Sequence, residues 1–136
     1  MPQTSSAFVA DPELIQELEK RSKPVSLGPD RILFRQGEAP VGVYLLRAGE
    51  ALLTSRSNDA AVLSVHVGAG SLLGLPAVIA SKPYTLTAKA LEGAELSLVT
   101  SDEFVELMRR DPALSFRVLQ VLAAEIRFAR DTFSQA

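Results

Sequence analysis

Short apolar runs separated by turn-forming residues fill the middle of the chain, from Arg31 to Val99. Residues 43–46, 62–67 and 96–99 are such runs, and glycine, proline, asparagine or aspartate stands between neighbouring runs. Many short strands at this spacing are typical of an antiparallel sandwich or a jelly-roll barrel. The pattern therefore predicts a mainly β domain, with the barrel over residues 24–99.

A helix is predicted before the barrel, over residues 11–21. Asp11 can accept hydrogen bonds from free amides at the start of the helix, and Pro12 stands at the first helical position, where its missing N–H costs nothing. Residues 1–10 show neither helical nor strand periodicity and are expected to form a flexible tail. Residues 11–136 are predicted to form a single domain, since one core suffices for a chain of this length.

Two helices are predicted after the barrel. Thr100 and Glu103 form a capping box, which predicts a helix over residues 101–110. Asp111 and the proline after it repeat the start signal, and nothing interrupts a longer helix over residues 112–133.

The last helix carries two apolar stripes with three–four spacing. One stripe consists of Leu119, Leu122, Ile126, Ala129 and Phe133. The other consists of Leu114, Val118, Val121 and Phe128. A helix with two stripes needs two partners. It either packs inside the core on both sides or pairs with a second copy of the chain.

Composition disfavours several classes of protein. The chain has no cysteine and one histidine, so it offers no thiolate and few ligands for a metal site. No nucleophile elbow, phosphate loop or paired-acid motif is present, and we expect neither catalytic residues nor a metal. A net charge of -2 with scattered basic residues argues against nucleic-acid binding by this chain alone. Without a signal-like or membrane-spanning run, a cytoplasmic protein is expected.

Three segments, Leu33–Glu38, Val43–Glu50 and Gly70–Ala90, resemble the cyclic-nucleotide-binding domain of bacterial Crp/Fnr-type regulators. The resemblance lies in the order of the strands and in glycine spacing, and covers almost the whole chain. The best-matched positions are Gly37, Gly49, Gly70 and Gly74. The resemblance implies a double-stranded antiparallel jelly-roll barrel with flanking helices, a sensory role, and a homodimer formed through the last helix. In that dimer the stripe from Leu119 to Phe133 would form the interface.

Relatives that bind cyclic nucleotides have a glutamate after the last of these glycines and, later, an arginine followed by serine or threonine. The resemblance places Leu75 at the glutamate, Tyr84 at the arginine and Thr85 at the hydroxyl. Two of the three ligand-holding side chains are thus replaced, so tight binding of cyclic AMP or cyclic GMP is not expected. The candidate pocket is an apolar segment with Tyr84 and Thr85 as its polar groups. It consists of Leu73, Gly74, Leu75, Pro76, Ala77, Tyr84 and Thr85.

Several functions remain open at this point. The domain could sense a less polar small molecule, or hold a protein partner as a ligand-free dimerisation or interaction scaffold. It could also bind a cyclic nucleotide through non-standard contacts. In full-length relatives the last helix leads into a winged helix-turn-helix domain, whereas this sequence stops at Ala136. A role in transcription would therefore need a longer parent chain or a separate partner, and the chain would then be a fragment of a DNA-binding regulator.

Overall fold

Strands fill the middle of the chain and helices flank them. The computed structural model describes residues 3–58 and 60–134. The strands are β1 (Gln3–Ser5), β2 (Lys23–Pro24), β3 (Ile32–Phe34), β4 (Gly42–Ala48), β5 (Glu50–Ser57), β6 (Ala60–Gly68), β7 (Leu72–Leu73), β8 (Thr87–Ala90) and β9 (Glu95–Thr100). The helices are α1 (Pro12–Glu19), α2 (Leu75–Ala80), α3 (Ser101–Arg110) and α4 (Pro112–Ser134). This arrangement confirms the predicted mainly β jelly roll with flanking helices.

The strands form two sheets rather than a closed antiparallel barrel. One sheet has the order β1-β6-β5-β8-β3 and the other β2-β9-β4-β7. Within the described residues, no strand of one sheet pairs with a strand of the other. The edge strands β2 and β7 have two residues each, and Pro24 in β2 has no N–H to donate to a further strand. One pair, β1 with β6, is parallel.

The amino-terminal segment, for which the sequence predicts a flexible tail over residues 1–10, forms a strand and contacts the core in its described part. Within its described part, β1 pairs with β6 along the register Gln3 to Val65. The side chains of Phe8 and Ala10 are buried, and the Phe8 carbonyl accepts a hydrogen bond from the Leu72 amide at 2.8 Å. The segment is fixed by pairing with distant strands, for which its own sequence carries no periodic signal.

Strand β4 packs between the two apolar clusters, one between the sheets and one with the helices. Successive side chains of a strand point to opposite faces. Tyr44 and Leu46 accordingly lie in an apolar cluster that draws residues from both sheets, whereas Val43 and Leu45 lie in a second cluster with the helices. Both faces of β4 are covered over Val43–Leu46, so the sequence there is continuously apolar instead of alternating.

Side-chain caps that the sequence predicts mark the starts of helices α1, α3 and α4. The Asp11 carboxylate accepts a hydrogen bond from the Leu14 amide at 3.0 Å, and the Thr100 hydroxyl accepts one from the Glu103 amide at 3.3 Å. Asp111 accepts from the amides of Ala113 and Leu114 at the start of α4. The first helix stops at Glu19, two residues before the predicted end.

Helix α4 divides its apolar residues between the core and the surface. Leu114, Val118 and Val121 are buried in the cluster with the other helices. Phe128 packs against the cluster between the sheets, and its ring meets that of Phe8 edge-on at 5.9 Å. In the part of the chain that the structure describes, no helix is long and apolar enough to cross a membrane.

Candidate functional site

A cavity of about 230 Å³ lies between the sheets, the segment around α2, and α4. Most of its lining is apolar. The sheets contribute Phe34, Leu53, Ser55, Leu63 and Leu73, and the amino-terminal segment contributes Phe8. The segment around α2 contributes Gly74, Pro76, Ala77, Tyr84, Thr85 and Leu86, and α4 contributes Glu125, Ile126, Phe128 and Ala129. The described lining residues include no lysine, arginine or histidine.

Leu75 is the one residue of the predicted pocket that does not line the cavity. Its side chain is fully buried in the cluster with the helices, on the other side of the second sheet. The reason is that α2 begins at Leu75, and a helix turns each successive side chain by about 100°. Leu75 and Val78 therefore face the helical cluster, while Ala77 faces the cavity.

Gly74 allows the backbone before α2 to pack closely against the ring of Tyr84 in the cavity wall. It precedes α2 in the left-handed conformation, with φ of 89°. A Cβ atom at this position would lie 2.7 Å from Cε1 of Tyr84. A side chain here would thus meet both an unfavourable backbone conformation and the ring that forms the neighbouring part of the wall.

Tyr84 contributes its ring to the cavity, but its hydroxyl is already bonded. The hydroxyl donates to the Gly42 carbonyl at 2.9 Å and accepts from the amides of Val41 and Gly42 at 3.0 and 3.3 Å. The sequence predicts this hydroxyl as a polar group for a ligand, whereas the structure places its hydrogen bonds on the backbone of Val41 and Gly42. Thr85 is exposed at the cavity. Lys82 is exposed and is absent from the described lining, so it does not supply the missing charge.

Glu125 is the functional candidate that the sequence analysis missed. Its side chain is 8% exposed, it lines the cavity, and its Oε1 atom is buried without a hydrogen-bond partner. Burial raises the pKa of this carboxyl to about 8. A signal for it exists in the sequence, because residue 125 continues the three–four spacing of Val118, Val121 and Phe128. A lone acid within a buried stripe is a feature that needs an explanation.

The predicted dimer stripe lies at the surface of α4. Leu119 and Ile126 are 59% and 58% exposed, and Leu122 and Ala129 are half-buried. The side chain of Phe133 lies outside the described residues. Sequence reasoning missed Phe116, which is 57% exposed on the same helix. Ile126 and Ala129 also line the cavity, so the stripe and the cavity share part of one helix.

The described side chains offer no cluster of metal ligands at the cavity. Among the described side chains, no three histidine, cysteine, aspartate or glutamate residues lie close enough to hold a metal ion together. The cavity itself contains one carboxylate, from Glu125, and no other acidic residue in its described lining.

A sequence model of the cyclic nucleotide-binding domain matches residues 24–111 of this chain, well over half of its length. The matched range includes the cavity residues from β3 to Leu86. It covers neither Phe8 nor the four α4 residues that complete the described lining.

Solved structures of two bacterial proteins have the same fold. The catabolite activator protein of Thermus thermophilus aligns with 92% of this chain and 59% of its own, with 20% identity and a TM-score of 0.76. The sensor domain of the transcriptional regulator DNR from Pseudomonas aeruginosa aligns with 89% of this chain and 82% of its own, with 20% identity and a TM-score of 0.66. These likenesses establish the fold.

One protein of similar sequence carries the name of an enzyme. Lysophospholipase nte1 of Neurospora crassa is 23% identical over 117 residues, which is 85% of this chain and 8% of that protein. This chain thus spans a small part of that relative and less than two thirds of the Thermus protein.

Proposed function

The chain belongs to the cyclic nucleotide-binding domain family, and from this premise we propose that it is a sensory module for a small molecule less polar than a cyclic nucleotide. The family is a regulatory one. The observation that carries the proposal is the cavity of about 230 Å³ with an apolar wall and no basic side chain in its described lining. A domain that serves only as a scaffold would need no such space.

The lining also supports the prediction that this domain binds cyclic AMP and cyclic GMP only weakly. A phosphate that leaves water needs charged hydrogen-bond donors, and the loss of one costs roughly 1.5–3 kcal/mol, about tenfold to more than a hundredfold in affinity. The resemblance places the arginine of cyclic-nucleotide binders at Tyr84, whose hydroxyl is bonded to the backbone at Gly42. It places their glutamate at Leu75, which lies in another apolar cluster.

The size of the cavity limits the ligand. Pockets for drug-sized molecules commonly have volumes of about 300–1,000 Å³, and this cavity is smaller. The ligand that fits is therefore a compact molecule with an apolar body. Its polar group has Glu125, Ser55 and Thr85 as neighbours in the described lining.

A thermal-shift screen tests this function, because a ligand that binds the folded state alone raises the stability of that state by RT ln(1 + [L]/Kd). The screen uses cyclic AMP, cyclic GMP and compact aromatic and aliphatic metabolites. An apolar compound should raise the melting temperature of the parent protein but not of Ala77→Phe, in which the added ring fills the cavity. Micromolar binding of either cyclic nucleotide by calorimetry would contradict the proposal.

We also infer that the module forms a homodimer through α4. Leu119, Ile126 and Phe116 are large apolar side chains that remain more than half exposed in the single chain. Large apolar groups clustered on one helix are typical of an interface rather than of a solvated face. A second copy presents the same stripe, so a two-fold axis can cover both at once.

A further inference from the structure

The Oε1 atom of Glu125 makes no hydrogen bond within the described chain. Oε1 is buried and has no partner, although buried polar atoms in folded proteins nearly always have one. The only other titratable side chain in the described lining is Tyr84, and its hydroxyl is bonded to Gly42. No described basic group faces the carboxyl across the cavity.

We propose that Glu125 receives the ammonium group of the ligand, so that the cavity selects a compact amine with an apolar body and rejects anions of the same shape. This inference rests on the ligand-binding function proposed above. The apolar walls from Phe8, Leu63 and Phe128 surround the body of the ligand, and the single unpartnered oxygen accepts its N–H. A carboxylate or phosphate in the same place would meet an acid and no cation.

Binding of the ammonium ion is coupled to the loss of a proton from Glu125. Because burial raises the pKa of Glu125 to about 8, the carboxyl of the empty cavity is mostly protonated at pH 7. An amine arrives as its ammonium ion. When the two pair, Glu125 releases its proton to solvent, and the charged amine donates a hydrogen bond to the resulting carboxylate. Binding therefore releases nearly one proton for each ligand.

Three probes that share a phenyl ring test the proposal: benzylamine, toluene and benzoate. Each is titrated into the full chain by calorimetry and by protein-detected NMR. Benzylamine should bind at least tenfold more tightly than toluene, and benzoate should bind more weakly than both. The heat of benzylamine binding at pH 7 should differ between phosphate and Tris buffers, since the released proton is taken up by the buffer.

Glu125→Gln keeps the shape of the side chain and removes its charge. We expect this variant to lose the preference for benzylamine by about tenfold and to release no proton, while toluene binds as in the parent. Glu103→Gln, on the exposed surface of α3, is the matched control and should leave all three probes unchanged. The melting temperature of each variant reports whether the fold is kept.

The outcomes separate this inference from the broader function. If toluene and benzylamine bind equally, or if the amine preference survives in Glu125→Gln, the role of Glu125 is overturned while the cavity remains a binding site. If none of the probes perturbs residues of the cavity, the ligand-binding function itself fails, and the role of Glu125 fails with it.

Discussion

The rings of Phe34 and Tyr84 are stacked, with their centroids 3.8 Å apart and their planes inclined by 17°. The Tyr84 hydroxyl, at the far end of the same ring, is bonded to the backbone at the start of β4. Tyr84 thus joins β3, β4 and the segment after α2. The position that the family resemblance equates with a phosphate-binding arginine is occupied by a residue that stabilises the fold.

Tyr84→Phe is expected to destabilise the domain by about 1–3 kcal/mol. The change keeps the stacked ring but leaves a buried carbonyl and amide of Gly42 without a partner. Urea denaturation of parent and variant measures the difference in free energy of unfolding. Tyr44→Phe is the control, because the Tyr44 hydroxyl makes one long bond, 3.4 Å to the Leu33 carbonyl. Equal losses in the two variants would contradict this role of the Tyr84 hydroxyl.

Gly74→Ala is expected to cost more than Gly37→Ala. Both glycines have a left-handed backbone, with φ of 89° and 93°, so both substitutions carry a conformational cost of roughly 1–2 kcal/mol. At Gly37 the new Cβ meets nothing within 4 Å, whereas at Gly74 it meets Cε1 of Tyr84 at 2.7 Å. The difference between the two melting temperatures therefore measures the clash in the cavity wall. Similar losses would indicate that the Tyr84 ring moves aside without cost.

The parts of the fold that local chemistry determines could be predicted from the sequence. The caps at Asp11, Thr100 and Asp111 each satisfy amides two or three residues away, so their effect is visible in the neighbouring residues. The amino-terminal strand could not be predicted in this way. Its partner β6 lies about sixty residues away, and nothing in residues 3–5 specifies that pairing.

In the candidate site, too, features that depend on neighbouring residues could be predicted and those that depend on distant parts of the chain could not. Gly74 and Ala77 could be assigned to the pocket because the glycine fixes the turn before α2. Leu75 lies in the other apolar cluster instead, because the direction of a side chain on a short helix depends on how the helix is docked. Glu125 was missed since it lies on α4, far along the chain from the segment that carries the resemblance.

Stability should fall as the pH rises from about 4.5 to about 8, because of Glu125. Burial raises the pKa of this carboxyl in the folded chain from 4.5 to about 8, so the unfolded chain ionises first and the folded chain resists ionisation. Below pH 4.5 the carboxyl is protonated in both states, and it contributes no pH dependence. Between the two values the loss is up to roughly 1.4 kcal/mol per pH unit, and it levels off above pH 8.

Denaturation curves at pH 5, 6, 7 and 8 measure this slope. In Glu125→Gln, which has no ionisable group at that position, the slope over the same range should be clearly shallower. Glu103→Gln, on the exposed face of α3, should keep the slope of the parent. A parent protein whose stability does not change between pH 5 and pH 8 would show that Glu125 is solvated or paired in solution.

Leu119→Glu is expected to convert the proposed homodimer into a folded monomer. Leu119 is 59% exposed in the single chain and is absent from the described cavity lining, so a charge there need not disturb the core or the cavity. In the dimer it would place two carboxylates in a desolvated interface, at a cost of several kcal/mol per dimer. Ile126→Glu is a less specific test, since Ile126 also lines the cavity.

Light scattering coupled to gel filtration, at tens of micromolar protein, measures the change in mass. Ala39→Glu adds the same charge at an exposed position outside α4 and should remain dimeric. Circular dichroism shows whether Leu119→Glu keeps its fold. A parent protein that is already monomeric under these conditions would remove the dimer from the proposed function, and the exposed stripe of α4 would then need a different partner.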